Sequence, residues 1–281
     1  MKINHIILIF IFWHFLYCSI VIAQESKSID TTKICCSYTY NFFEDSTSKY
    51  SLKSQNMVLL IGSNLSKFST LTQIRRDLQR VELHNSDPSH HINELYKITS
   101  SEPINPMCNY IVIKNYKAKD TIHFVSNVNR TSYHVTQVEK FDWSIVLEMD
   151  TTILGYLCQK ATTRFGGRDY IAWFTTEIPI SDGPYKFKGL PGLIVQICDT
   201  KKQHCFTLSG VEKQKNTLPI IISETNSITT SPSNYVKAFF ANNARILEEI
   251  QAGVKYKFND EESKSKAIQK FKSRNSFIER Y

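Results

Sequence analysis

Glycine and proline are scarce, 9 and 8 residues in a chain of 281, and nowhere do they gather with serine into a linker. Nothing in the composition divides the chain, so one domain is expected after the N-terminal segment. Beyond the N-terminus, apolar runs of membrane-spanning length are also missing. A later run such as 218–222 holds five residues, against the roughly 20 that a spanning helix needs. Several chemistries lose their usual sequence marks too. The chain has no G-x-S-x-G elbow, no HExxH, no phosphate-binding P-loop and no clean G-x-G-x-x-G, which removes the families built on those motifs rather than catalysis as such. No repeat of basic and aromatic residues suggests a nucleic-acid module, and no cofactor-binding signature stands out.

What is present begins with a leader. Lys2 is followed by an apolar stretch over 6–22, and Val21-Ile22-Ala23 offers a cleavage site before Gln24, so residues 1–23 read as a signal peptide and 24–281 as the exported chain. Tyr17 is too bulky for the residue before a lipidated cysteine, which sets Cys18 aside as an anchor. The formal charge of +8 in an exported protein points to anionic glycans, lipid headgroups or acidic partners, or simply to a basic, well-solvated surface.

Six of the seven cysteines follow the leader, and an even number in an exported chain suggests disulfides. Cys198 and Cys205 flank a polar loop between two strand-like runs, so a cross-strand bridge is expected there. Partners for Cys35, Cys36, Cys108 and Cys158 stay open; adjacent Cys35 and Cys36 point to opposite faces of any strand that holds them.

Patterning reads mostly as β. Segments 37–41, 57–61, 110–115, 121–126, 132–138, 143–148, 152–163, 169–175, 189–198 and 205–211 are β-branched and aromatic with polar breaks between them. Gly166-Gly167 marks a hairpin turn. Phe68, Leu71, Ile74, Leu78 and Val81 recur at helical spacing. Ser231-Pro232 caps a helix with the stripe Tyr235, Phe239, Ile246 and Ile250, stopped by Gly253. Residues 254–281 form a charged tail or further helix. The expected fold is mainly β, or α+β: a large curved antiparallel sheet or incomplete barrel with a packed C-terminal helix.

The chain is organised around residues 173–198, WFTTEIPISDGPYKFKGLPGLIVQIC. Asp182-Gly183 favours a turn, Pro184 removes a backbone donor, and Pro191-Gly192 fits a type II turn with positive φ at Gly192. The following run, apolar except at Gln196, has the pattern of a strand covered on both faces. Gly189-Leu190-Pro191-Gly192-Leu193-Ile194 resembles the motif of the GLPGLI family, secreted or envelope proteins mainly of Bacteroidetes. Ile178-Pro179, Gly183-Pro184-Tyr185, Cys158-Gln159-Lys160-Ala161 and Ala172-Trp173 look like its flanks, as do Ile61-Gly62, Ser66-Lys67-Phe68 and the segment 275–279. The resemblance implies an exported envelope protein and brings no activity with it.

Two readings of the stretch compete. In one, the turns hold a recognition loop with Lys186 and Lys188 as charged tips, and Tyr170, Trp173, Tyr185 and Phe187 line a ligand or partner surface. In the other, Asp182, Gly183, Pro184, Gly189, Leu190, Pro191 and Gly192 are structural turns before a buried strand and the aromatics are core. Metal binding by His84, His90 and His91 is set aside, since a polar loop without regular spacing rarely converges on one ion. The favoured function is a non-catalytic envelope protein binding a hydrophobic or anionic ligand or another envelope protein. The alternatives are an exported hydrolase with carboxylates at Glu177 and Asp182, and a purely structural or adhesive module.

Overall fold

β1 (Ser26–Phe43) states the plan of the molecule in its side-chain alternation. Cys36, Tyr38, Tyr40 and Phe42 join one buried cluster while Cys35 joins another. β2 (Leu52–Ile61) repeats this, with Met57, Leu59 and Ile61 in the first cluster and Val58 and Leu60 in the second. Period-two alternation with both faces apolar means a strand covered on both sides. The structure, a computed structural model, describes residues 26–84, 103–118, 121–223, 226–253 and 255–279. The leader at 1–23 and the loop with His90 and His91 lie outside the described residues.

The remaining strands are β3 (Leu65–Thr70), β4 (Tyr110–Asn115), β5 (Thr121–Val128), β6 (Thr131–Val138), β7 (Ser144–Ile153), β8 (Tyr156–Phe165), β9 (Arg168–Thr175), β10 (Leu193–Asp199), β11 (His204–Ser223) and β12 (Ser227–Thr230). They form one twelve-stranded sheet in the order β12-β6-β5-β4-β3-β2-β1-β11-β10-β9-β8-β7. Every pairing is antiparallel except that of β12 with β6. The sheet is open, with β12 and β7 at its edges, and it is strongly curved. Laid flat, β5 and β8 would stand about 38 Å apart at the usual strand spacing. Instead, Phe124 of β5 and Phe165 of β8 both lie 6.4 Å from the ring of Tyr185. The sheet therefore curls around the segment 176–192, which plugs its concave face. An incomplete barrel describes it.

The convex face is covered by α1 (Leu71–His84), whose Ile74 and Leu78 join Val58, Leu60, Ile113 and Ile220. Beneath this helix Lys67 Nζ sits 2.6 Å from Asp77 Oδ2. Over the concave side runs α2 (Pro232–Ala252), and α3 (Glu261–Lys272) packs against α2. α2 has the expected ends: the Ser231 side chain accepts from Asn234 N–H, and Gly253 is left-handed at φ 66°. Its amphipathic stripe packs on the sheet.

Several local readings are corrected. Phe68 belongs to β3 rather than to the helix, because it pairs across the sheet with Leu59 and Val112. The strand expected over 152–163 begins only at Tyr156, since Leu154 and Gly155 form a tight turn with φ 52° and 83°. β11 is longer than the run 205–211, and β12 carried no sequence signal. The Cys198–Cys205 disulfide is present, but Cys35, Cys36, Cys108 and Cys158 are buried free thiols rather than further bridges.

Candidate functional site

The segment 176–192 is held from below by buried charge. Lys114 of β4 ion-pairs with Asp182 and donates to the Gly183 carbonyl at 2.5 Å. Asp182 is fully buried and also accepts from Tyr116 Oη and from Gly183 N–H, both at 2.7 Å. Burial holds the Lys114 ammonium below its ordinary pKa, against the pull of Asp182 in the other direction. The turn chemistry differs from the sequence reading: neither Gly183 nor Gly192 has positive φ, which falls instead on Tyr185 at 54° and Gly189 at 101°. Gly183 and Gly192 are required for room. A Cβ on Gly192 would lie 2.0 Å from the Thr175 carbonyl oxygen, and one on Gly183 would lie 2.7 Å from Ile194 Cβ.

Locked this way, the loop drives Tyr185, Lys186 and Phe187 into the concavity. Phe187 packs on Tyr170 at 4.8 Å and on Phe141 and Phe165. Lys186, expected as an exposed tip, is 3% exposed. Its Nζ lies 2.6 Å from Glu279 Oε1, 3.0 Å from Gln137 Oε1 and 4.7 Å from the centre of the Phe124 ring. The Tyr185 hydroxyl bonds to the same Glu279 carboxylate.

Beside this polar corner is a cavity of about 110 Å³ under α2. Its floor is Tyr40, Tyr110, Phe124, Ser126 and Val135; its roof is Tyr235, Val236, Phe239 and Phe240 of α2; Phe277, Ile278 and Glu279 close one side. The strap carrying those last residues is pinned at several points. Arg168 Nε donates to the Phe277 carbonyl at 2.9 Å and Tyr170 Oη to the Ile278 carbonyl at 3.1 Å. Ser276 Oγ lies 3.2 Å from His204 Nε2, whose other ring nitrogen meets Tyr40 Oη at 2.7 Å. Arg168 in turn pairs with Asp199 at 2.7 Å. Burial pushes the phenols of Tyr40 and Tyr110 well above their ordinary pKa. It also raises the Glu139 carboxyl, against the Gln137 hydrogen bond and the Lys186 charge.

Of the residues expected at a ligand or partner surface, Tyr185 and Lys186 line the cavity. Tyr170 and Phe187 are buried behind them. Trp173 is half-buried opposite Lys160 and Gln196, away from the cavity lining. Lys188 is half-buried, its carbonyl accepting from Trp143 Nε1 at 2.8 Å. Glu177 is exposed, with Oε1 accepting from Leu157 N–H at 2.7 Å, and shares no cleft with the sealed Asp182. Among the described residues no three His, Cys, Asp or Glu side chains gather as a metal site. Tyr40, Tyr110, Phe124 and Phe277 escaped the sequence reading because each sits in a different element. Tyr235 and Phe239 were visible only as a helix stripe, and Glu279 only as part of the family-like segment 275–279.

The profile of a family described as a protein of unknown function (Porph_ging) matches residues 167–196. This short stretch runs from the β8–β9 turn through the plug into β10, and the match fits a Bacteroidetes family. No curated protein matches the chain. Among solved structures the chain is similar to PNGF-II in its P21 crystal form, with a TM-score of 0.47 and 13% identity over 76% of this chain and 34% of that one. The C2 form of PNGF-II gives a TM-score of 0.47 and 12% identity over 76% and 33%. The chain spans about a third of the length of those solved chains.

Proposed function

We propose that the chain is an exported, non-catalytic envelope protein of the GLPGLI family, one domain over 24–281, that binds a small hydrophobic molecule in the cavity under α2. The observation that carries this is the lining: eight aromatic side chains, from Tyr40 to Phe277, surround a cavity of about 110 Å³ beside one neutralised ion pair. Largely apolar concavities with a few convergent polar groups are where small ligands bind. The hexapeptide at 189–194 supports the family name, and a disulfide fits export to an oxidising compartment. The hydrolase reading loses its support, because Asp182 is sealed and neutralised by Lys114.

Native mass spectrometry of the protein purified from its own cells tests this. An added mass that leaves on denaturation, and that is absent from a folded Val236→Trp variant whose indole fills the cavity, is the expected result. A bare chain from the native source that also takes up no apolar probe would overturn the reading in favour of a structural module.

A further inference from the structure

The strands that floor the cavity carry a pair of imidazoles on their other face. Phe124 of β5 and Val135 of β6 are paired across the sheet and both line the cavity under α2. Their chain neighbours His123, His134 and Thr136 therefore point to the opposite face. His123 is paired with Thr136 and Val125 with His134, so the two rings meet on the diagonal. His123 Nδ1 lies 3.2 Å from His134 Nε2 and 3.2 Å from Thr136 Oγ1. The ring centres are 5.3 Å apart and the planes are tilted by 45°. Both rings are half-buried and Thr136 is exposed, so dissolved ions can reach them.

A nitrogen–nitrogen separation of this size suits two states. Without an ion, an N–H of one ring donates to the lone pair of the other. With an ion, two imidazole nitrogens bound at about 2.0–2.1 Å and at an angle of about 90–110° stand roughly 2.8–3.4 Å apart. The separation in the structure falls inside that range. Ligation takes no proton from a neutral pair: with the protons on His123 Nε2 and His134 Nδ1, both facing nitrogens present lone pairs. Burial first, and the His134 charge second, lower the His123 pKa and so favour the neutral ring that a metal needs.

The backbone holds the two donors in place before any ion arrives. β5 lies between β4 and β6, and β6 between β5 and β12, so neither strand is a free edge. Among the described residues no third His, Cys, Asp or Glu completes the group, which leaves the other positions to water and the Thr136 hydroxyl. Two imidazoles with oxygen ligands favour late first-row ions over Mg²⁺ or Ca²⁺. We propose that His123 and His134 form a bidentate site for a divalent ion of the Ni²⁺, Cu²⁺ and Zn²⁺ class, one that ties β5 to β6 on the outward face of the cavity floor.

The test titrates Ni²⁺ calorimetrically, in a non-coordinating buffer slightly above neutral pH, into the full exported chain carrying His84→Gln/His90→Gln/His91→Gln. Those changes leave His123, His134 and the fully buried His204 as its histidines. The expected result is one-to-one binding, weakened about a hundredfold by adding either His123→Gln or His134→Gln, because a lone imidazole loses the effective concentration of its neighbour. Ni²⁺ also raises the melting temperature of the background protein by mass action. Absence of binding at millimolar Ni²⁺ overturns the proposal and leaves a hydrogen-bonded pair only. Binding that survives both single substitutions places the ion elsewhere and overturns it too. Should a variant fail to fold, the NMR ring signals of His123 and His134 in the background protein decide: paramagnetic broadening by substoichiometric Ni²⁺ supports the site, and unbroadened rings overturn it.

Discussion

Lys186 Nζ lies 2.6 Å from Glu279 Oε1, and both side chains are almost completely shielded from water. The pair joins the tip of the central plug to the C-terminal strap, so the plug and one wall of the cavity are stabilised together. Removing one partner leaves the other charge buried without compensation. Glu279→Ala is expected to lower stability by about 3–5 kcal/mol, read by urea unfolding, and Lys186→Met added to it restores most of the loss. A single variant that loses less than about 1 kcal/mol would place the pair among the weak surface bridges.

The plug also depends on a contact that only glycine allows. Gly192→Ala drives a Cβ into the Thr175 carbonyl, which cannot swing away as a side chain can. A loss of about 3 kcal/mol or more is expected. Gly183→Ala meets the Ile194 side chain and is expected to be milder. Gly155→Ala meets nothing within 4 Å and carries only the strain of φ 83°, about 1 kcal/mol. Melting temperatures of the three variants check the order; Gly155→Ala as the most damaging would contradict it.

On the sheet between β5 and β6, His123 Nδ1 lies 3.2 Å from His134 Nε2 and 3.2 Å from Thr136 Oγ1. Burial, and secondarily the His134 charge, lower the His123 pKa from its ordinary 6.5. The unfolded chain then binds the proton more readily than the folded one. Stability from this group is complete above pH 6.5 and declines as pH falls through the folded-state pKa. Unfolding free energy measured between pH 8 and 5 in wild type and His123→Gln is expected to show a shallower acid decline in the variant. Identical slopes would remove His123 from the account.

The Cys198–Cys205 bridge, across a sequence separation of 7, closes the β10–β11 hairpin next to Asp199, the partner of Arg168. Reduction, or the double Cys198→Ala/Cys205→Ala variant, is expected to cost about 2 kcal/mol by the loop-closure argument. The four free thiols are buried, with burial pushing Cys35 up to about 12 and Cys36 and Cys108 higher still. Alkylation of the native protein should therefore spare all four, and modify them after denaturation. Rapid labelling of Cys36 in the native state would contradict this burial.

These results mark where the sequence was legible. Ser231 and Gly253 announced α2 at both ends because caps are local, and Gly166-Gly167 announced its hairpin for the same reason. Cys198 and Cys205 could be paired because the strands carrying them are adjacent in sequence. Lys186 was misread as a tip because a lysine between two proline-glycine turns has the local pattern of a solvated loop. Its partner Glu279 lies far along the chain, and the concavity that encloses both exists only once β5 and β8 have curled around the plug. Phe68 failed for a related reason: helical spacing with Leu71 and Ile74 is short-range, whereas its pairing with Leu59 and Val112 is imposed by the sheet. The cavity is the extreme case, drawn from β1, β4, β5, β6, the plug, α2 and the strap, and no single segment records it.

The most direct test of the account is calorimetric titration of the full exported chain with α-methylstyrene, in wild type and Val236→Trp. The account predicts saturable one-to-one binding to wild type, with the negative heat-capacity change that apolar burial produces, and its loss in a variant that remains folded. No binding to wild type, or equal binding to both, would contradict the claim that the space under α2 is a ligand site.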